Sequence, residues 1–170
     1  MSEDIPDIFK AYDIRGLVDD ELSPNFAFAV GLAFARFLEI EREPSTVIIG
    51  EDMRPSSPEL AEAFSAGVTS NGTNVIRIGL ASTDMLYFAA GSKNLPGAMF
   101  TASHNPAAYN GIKLCLSGAR PIGKETGLLT IENFVRNGMP IAMRPPGTET
   151  HEDLLAAYAD HLHKLVTFKG

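Results

Sequence analysis

The sequence predicts a three-layer α/β/α domain with a mainly parallel, mixed sheet, and three observations predict it. Short runs rich in β-branched residues alternate with segments of helical periodicity. Two of the helical segments open with a Ser-Pro pair, a hydroxyl cap followed by a proline whose missing amide proton costs nothing there. Glycine or Asn-Gly closes several of them, as expected where a helix ends in left-handed geometry.

In chain order, Ser23-Pro24 starts a helix over Asn25 to Glu39, with Phe26, Val30, Phe34, Phe37 and Leu38 at near-helical spacing. Thr46 to Gly50 reads as a buried strand, being short, apolar and β-branched. Ser57-Pro58 opens a second helix, closed by Asn71-Gly72, and Val75 to Gly79 is the next strand. Thr83 to Ala90 reads as a third helix, Gly97 to Thr101 and Ile112 to Leu116 as strands, and Leu128 to Asn137 as a helix stopped by Gly138. Strands so close as Gly97–Thr101 and Ile112–Leu116 predict one antiparallel or splayed pair. Phe9 to Gly16 alternates too irregularly for a clean strand. Arg144-Pro145-Pro146-Gly147-Thr148 reads as a linker, and Glu152 to Val166 as a last helix with Leu154, Leu155, Tyr158, Leu162 and Leu165 on a stripe. The expected division is therefore a domain over 1–143, with linker and helix over 144–170 leading towards a further domain.

Composition narrows the function classes. The 170 residues carry 14 Lys+Arg against 21 Asp+Glu, a net charge of -7, which opposes non-specific nucleic-acid binding. The longest apolar and small run, Phe26 to Ala35, ends at Arg36, well short of a bilayer span. The opening Met-Ser-Glu-Asp lacks the basic start of a signal peptide. Cys115 is the single cysteine, so no internal disulfide forms, and a reducing, cytoplasmic setting is expected.

Chemistry concentrates in Thr101-Ala102-Ser103-His104-Asn105-Pro106 and its continuation to Asn110-Gly111-Ile112-Lys113. This stretch follows a strand, and ligands of open α/β sheets bind beyond the carboxyl ends of strands. Asn105-Pro106 and Asn110-Gly111 read as two turns that project Ser103 and His104 and return Lys113 beneath them. A hydroxyl, an imidazole and an ammonium on one loop suit phosphoryl chemistry, although most loop serines are turn or cap residues, and composition alone favours that role for Ser103. Arg15, before Gly16, has the fork to hold a phosphate or carboxylate, or to pair with a surface acid. Asp52 and Arg54 read as an internal ion pair at a helix start, with cleft lining as the alternative. Gly118 to Glu125 has Walker A spacing but places Glu125 where Ser or Thr must reach magnesium, which excludes it. His161 and His163, two apart on a helix, point in different directions and cannot share a metal.

Together, Ala11-Tyr12-Asp13-Ile14-Arg15-Gly16, Gly50-Glu51-Asp52-Met53-Arg54, Thr101 to Pro106, and Asn110 to Lys113 resemble the α-D-phosphohexomutases, the phosphomannomutase/phosphoglucomutase family. The resemblance runs from Ile8 to about Lys124, and more loosely to the terminal helix. It implies an isomerase that moves a phosphoryl group between the 1- and 6-positions of a hexose phosphate through a hexose 1,6-bisphosphate. Ser103 would be the phosphoserine and would give Mg2+ one ligand oxygen. Lys113 matches a general acid/base, and His104 the histidine beside the serine. Tyr12 and Arg15 match residues near the transferring group and substrate. A doubly charged phosphoserine needs such cations beside it. The family's Asp-Gly-Asp-x-Asp magnesium loop and sugar-reading loop are not found here. The chain therefore resembles the first domain of a four-domain enzyme and is expected to need the remaining domains for turnover. A non-catalytic sugar-phosphate-binding or regulatory module on the same fold is the alternative.

Overall fold

The computed structural model describes residues 7–166. The elements are β1 (Ile14–Leu17), α1 (Pro24–Ile40), β2 (Thr46–Glu51), α2 (Ser57–Ser70), β3 (Asn74–Leu80), α3 (Thr83–Lys93), β4 (Gly97–Phe100), β5 (Tyr109–Leu116), β6 (Arg120–Pro121), α4 (Leu128–Asn137), β7 (Glu149–His151) and α5 (Leu155–Leu165). Local chemistry sets the ends. Ser23 Oγ accepts from Phe26 N at 3.2 Å to cap α1, and Ser82 Oγ accepts from Met85 N at 3.1 Å to cap α3. Asn94 ends α3 in left-handed geometry, and Gly138, at φ 68, ends α4.

The strands form one sheet in the order β1-β5-β4-β2-β3-β7, with β6 also paired to β5. The β2–β3, β2–β4 and β3–β7 pairs are parallel, whereas β5 is antiparallel to β1, β4 and β6. Only β5 runs against the rest among the described strands, so the mixed, mainly parallel sheet and the antiparallel Phe100–Ile112 pair are both as the sequence predicts.

One face of the sheet packs under α1, α2 and α4, around Phe34, Phe64 and Phe100, whose neighbouring rings lie 6.0 and 5.4 Å apart. Helices α3 and α5 cover part of the other face, where Ile48, Ile78, Leu86, Met99 and Leu154 form a second cluster. That cluster takes no residue from β1 or β5, so the α3 side of those two strands is left for other side chains.

Four expectations need correction. Asn110 and Gly111 are not a turn; both lie inside β5, which starts at Tyr109. Gly111 is needed there because a Cβ would come within 2.5 Å of Ile14 O and 2.9 Å of Thr101 O, where β1 and the end of β4 close on it. The Phe9–Gly16 region does supply a strand, β1, whose pairing with β5 outweighs its irregular pattern. The Arg144–Thr148 stretch, expected as a linker, leads into β7, which pairs with β3 through Val75↔Glu149, Ile76↔Thr150 and Arg77↔His151. Buried Arg77 lies 3.9 Å from Glu149 through its Nη1, and Ser65 on α2 donates to Glu149, so polar groups hold β7 to the sheet. Helix α5 begins at Leu155 rather than Glu152, and of the expected stripe only Leu154, just before the helix, is buried, while Leu155, Leu162 and Leu165 are exposed.

Candidate active site

The serine loop leaves the carboxyl end of β4 and returns as β5. Two turn bonds shape it, Asn105 N to Ala102 O and Tyr109 N to Pro106 O, each 3.0 Å. Ser103 sits at its head with φ 54, a left-handed conformation that costs a non-glycine residue about 1–2 kcal/mol. Thr101 Oγ1 accepts the Ser103 amide at 3.0 Å. Ser103 and His104 are both exposed, and Ser103 Oγ lies 3.1 Å from His104 Nδ1.

Arg54 fastens this loop from below. Its Nη1 donates to Pro106 O and Tyr109 O at 2.9 Å each, and its Nη2 donates to Ser103 O at 3.0 Å and Asn105 O at 2.7 Å. Its Nε donates to Asp52 Oδ2 at 3.2 Å, so the expected Asp52–Arg54 ion pair is present. The network continues through Asp52 Oδ1, which accepts from Ser57 Oγ at 2.7 Å. Buried Asn110 then donates to Ser56 Oγ and Ser57 Oγ at 2.9 Å each and accepts from Gly111 N at 2.8 Å. The anchoring by four carbonyls has no local sequence signal, because its partners lie about fifty residues further along the chain.

A cleft of about 420 Å³ lies on the side that α3 leaves open, lined by Lys10, Ala11, Tyr12, Asp13, Arg15 and Lys113. The β1–β5 register, with Ile14 opposite Ile112 and Arg15 opposite Gly111, sets this arrangement. Residues two apart on a strand share a face, so Asp13, Arg15 and Lys113 emerge together. Asp13 Oδ2 accepts from Lys113 Nζ at 3.1 Å and is also bound by Arg15. Asp13 is 7% exposed, and it is a site residue that the sequence alone does not single out. Arg15 Nε is buried without a hydrogen-bond partner among the described residues. Tyr12, 77% exposed, stands at the rim.

Of the residues expected in the site, Tyr12, Arg15 and Lys113 line one cleft, whereas Ser103 and His104 pair with each other on the adjoining loop. The sheet links the two groups: Thr101 N donates to Gly111 O at 3.0 Å, and Gly111 is the partner of Arg15. Among the described residues, no three His, Cys, Asp or Glu side chains lie together as a metal site. Gly118 to Glu125 forms β6 between short 3-10 turns rather than a strand-to-helix phosphate loop. Cys115 is buried in β5, where desolvation pushes its thiol up to about 11.

Comparison with known proteins gives this geometry a family. The family described as phosphoglucomutase/phosphomannomutase, alpha/beta/alpha domain I, matches residues 6–140. A protein of Xanthomonas campestris pv. campestris (strain B100) named for phosphohexose mutases is 44% identical over 155 residues, covering 91% of this chain and 34% of the relative. A phosphomannomutase of Vibrio cholerae is 38% identical over 161 residues, covering 94% of this chain and 35% of the relative. A solved phosphoglucomutase/phosphomannomutase family protein of Burkholderia thailandensis superposes with a TM-score of 0.86 at 26% identity, covering 96% of this chain and 36% of that one. The chain thus spans about a third of the length of these proteins.

Proposed function

Because the chain belongs to the phosphoglucomutase/phosphomannomutase family through its α/β/α domain I, we propose that it is the phosphoserine domain of a longer phosphohexomutase. Ser103 carries the reading: an exposed hydroxyl held at positive φ, within 3.1 Å of an imidazole and beside a cleft bearing Arg15 and Lys113.

In this reading the phosphorylated Ser103 meets a hexose 1- or 6-phosphate. The free sugar hydroxyl forms an O–P bond to the phosphoryl group as the bond to Ser103 Oγ breaks. The hydroxyl proton ends on the departing Ser103 Oγ, with Lys113 as the general acid/base that relays it, so the serine is left as a neutral hydroxyl. The hexose 1,6-bisphosphate then reorients and returns its other phosphate to Ser103 Oγ, so the mutase regains its phosphoserine and phosphate changes position. Arg15 supplies fixed positive charge where the phosphoryl oxygens gather, beside Lys113 on the same cleft. Tyr12 at the rim contacts substrate, and His104 orients the serine oxygen. Mg2+ suits the hard oxygen of Ser103 and its phosphate, and would screen charge there, with its other ligands outside the described residues. A cytoplasmic setting accords with the single, buried cysteine. No helix among the described residues is long and apolar enough to cross a membrane.

The test is intact mass and peptide mapping of the complete gene product after incubation with glucose 1,6-bisphosphate. One phosphate on Ser103, absent in Ser103→Ala, is the expected result. An unmodified serine would overturn the mutase reading and leave a non-catalytic sugar-phosphate-binding or regulatory module on this fold.

A further inference from the structure

Resting on the phosphoserine reading, we infer that Arg54 is a positioning residue for phosphoryl transfer: by gathering four carbonyls of the serine loop it holds Ser103 in its left-handed conformation, and it touches no substrate itself. A guanidinium has five N–H donors and no acceptor. All five are used here, one on Asp52 and four on the carbonyls of Ser103, Asn105, Pro106 and Tyr109. No donor is left for a phosphate, and the side chain is 9% exposed. The alternative of a cleft-lining, phosphate-binding arginine is therefore removed by saturation.

What Arg54 can do is fix the loop. Few other bonds restrain the loop: the Ser103 amide on Thr101 Oγ1, the two turn bonds at Asn105 and Tyr109, and Val18 N donating to Ala108 O at 2.9 Å. A serine at φ 54 persists only where its surroundings over-determine it. Without the clamp, relaxation to negative φ would change where the loop presents Oγ. Because Arg54 takes only backbone carbonyls from the loop, it leaves the Ser103 hydroxyl to other partners, so the same clamp serves the free and the phosphorylated serine. Lysine cannot replace it, since an ammonium offers three N–H donors from a single point.

Wild type, Arg54→Lys and Arg54→Ala are compared in the complete gene product by two readouts. Amide hydrogen exchange is followed by peptide, and single-turnover transfer from labelled glucose 1,6-bisphosphate to Ser103 is followed over a range of concentrations. Faster exchange confined to residues 102–109 is expected in both variants. The limiting transfer rate should fall by about 100-fold, the usual effect of an ångström of misplacement. The half-saturating concentration should stay within about 3-fold, since a bound bisphosphate contacts the cleft and not Arg54. A raised half-saturating concentration with an unchanged limiting rate would overturn the inference in favour of phosphate binding. Uniformly faster exchange, or unchanged loop exchange, would overturn it in favour of a general structural role. The milder Arg54→Lys keeps the experiment readable if Arg54→Ala does not fold. In either of these cases wild type still takes up phosphate, so the mutase reading stands; a wild type that takes none overturns both.

Discussion

Asp13 and Lys113, a hundred positions apart in the chain, meet across the β1–β5 pair with Oδ2 and Nζ 3.1 Å apart. The carboxylate occupies space in which an anionic ligand would meet the same ammonium and the neighbouring Arg15. Asp13 is thus the partner of two cations and stands where it would compete with an anionic ligand for them. Asp13→Asn preserves shape and removes that charge, so inorganic phosphate should bind the cleft more tightly. A gain of about 1 kcal/mol for a partly solvated site corresponds to roughly fivefold in Kd. An NMR titration with phosphate measures it, and unchanged or weaker binding would argue against competition.

Buried Asn110 ties β5 to the start of α2 through Ser56 and Ser57. Asn110→Ala removes two donated bonds and leaves the Gly111 amide without its acceptor, at a cost of about 2–3 kcal/mol. Urea denaturation should show this as a lower midpoint with an unchanged slope.

This residue also marks where sequence reading stops. Asn-Gly is a strong turn signal on its own, but here the amide is satisfied by serines more than fifty residues away, and β1 requires the glycine. The main helices and inner strands are legible because burial periodicity and caps such as Ser23 and Ser82 are local. Strands β1 and β7 are not, since each is short and lies at an end of the sheet order, defined by a partner distant in sequence. In the site, Ser103, His104 and Lys113 stand out by chemical type and Arg15 by its place before glycine. Asp13 and the carbonyl clamp of Arg54 emerge only once the strands are paired.

Helices α1 and α2 approach closely at two glycines. A Cβ on Gly31 would overlap the Phe64 carbonyl oxygen, and one on Gly67 the Phe28 carbonyl oxygen. The obstacle is backbone in both cases, so it cannot rotate away. Gly31→Ala and Gly67→Ala should each destabilise the domain by roughly 2 kcal/mol, read from thermal or urea unfolding, despite alanine's better helix propensity.

Burial raises the Cys115 thiol from 9.0 to about 11, so the folded state favours the neutral form. Its contribution is fully present below pH 9 and is lost as pH rises towards 11, a difference of roughly 3 kcal/mol. The stability gap between wild type and Cys115→Ala should therefore shift against wild type across pH 9–11 and stay constant below it. Unfolding curves of both proteins at each pH test this, and a gap independent of pH would rule out thiol ionisation as the cause.

Strand β7 has a consequence for how the domain behaves among its own copies. Without it, β3 would present a row of unpaired amides and carbonyls along the rim of a parallel sheet, a template on which another molecule's strand can grow. Covering that rim with three residues, whose Glu149 is held by Arg77 and Ser65, acts as a guard against self-templating assembly. A protein trimmed at residue 140, where the family match ends, would keep its serine loop and lose that guard.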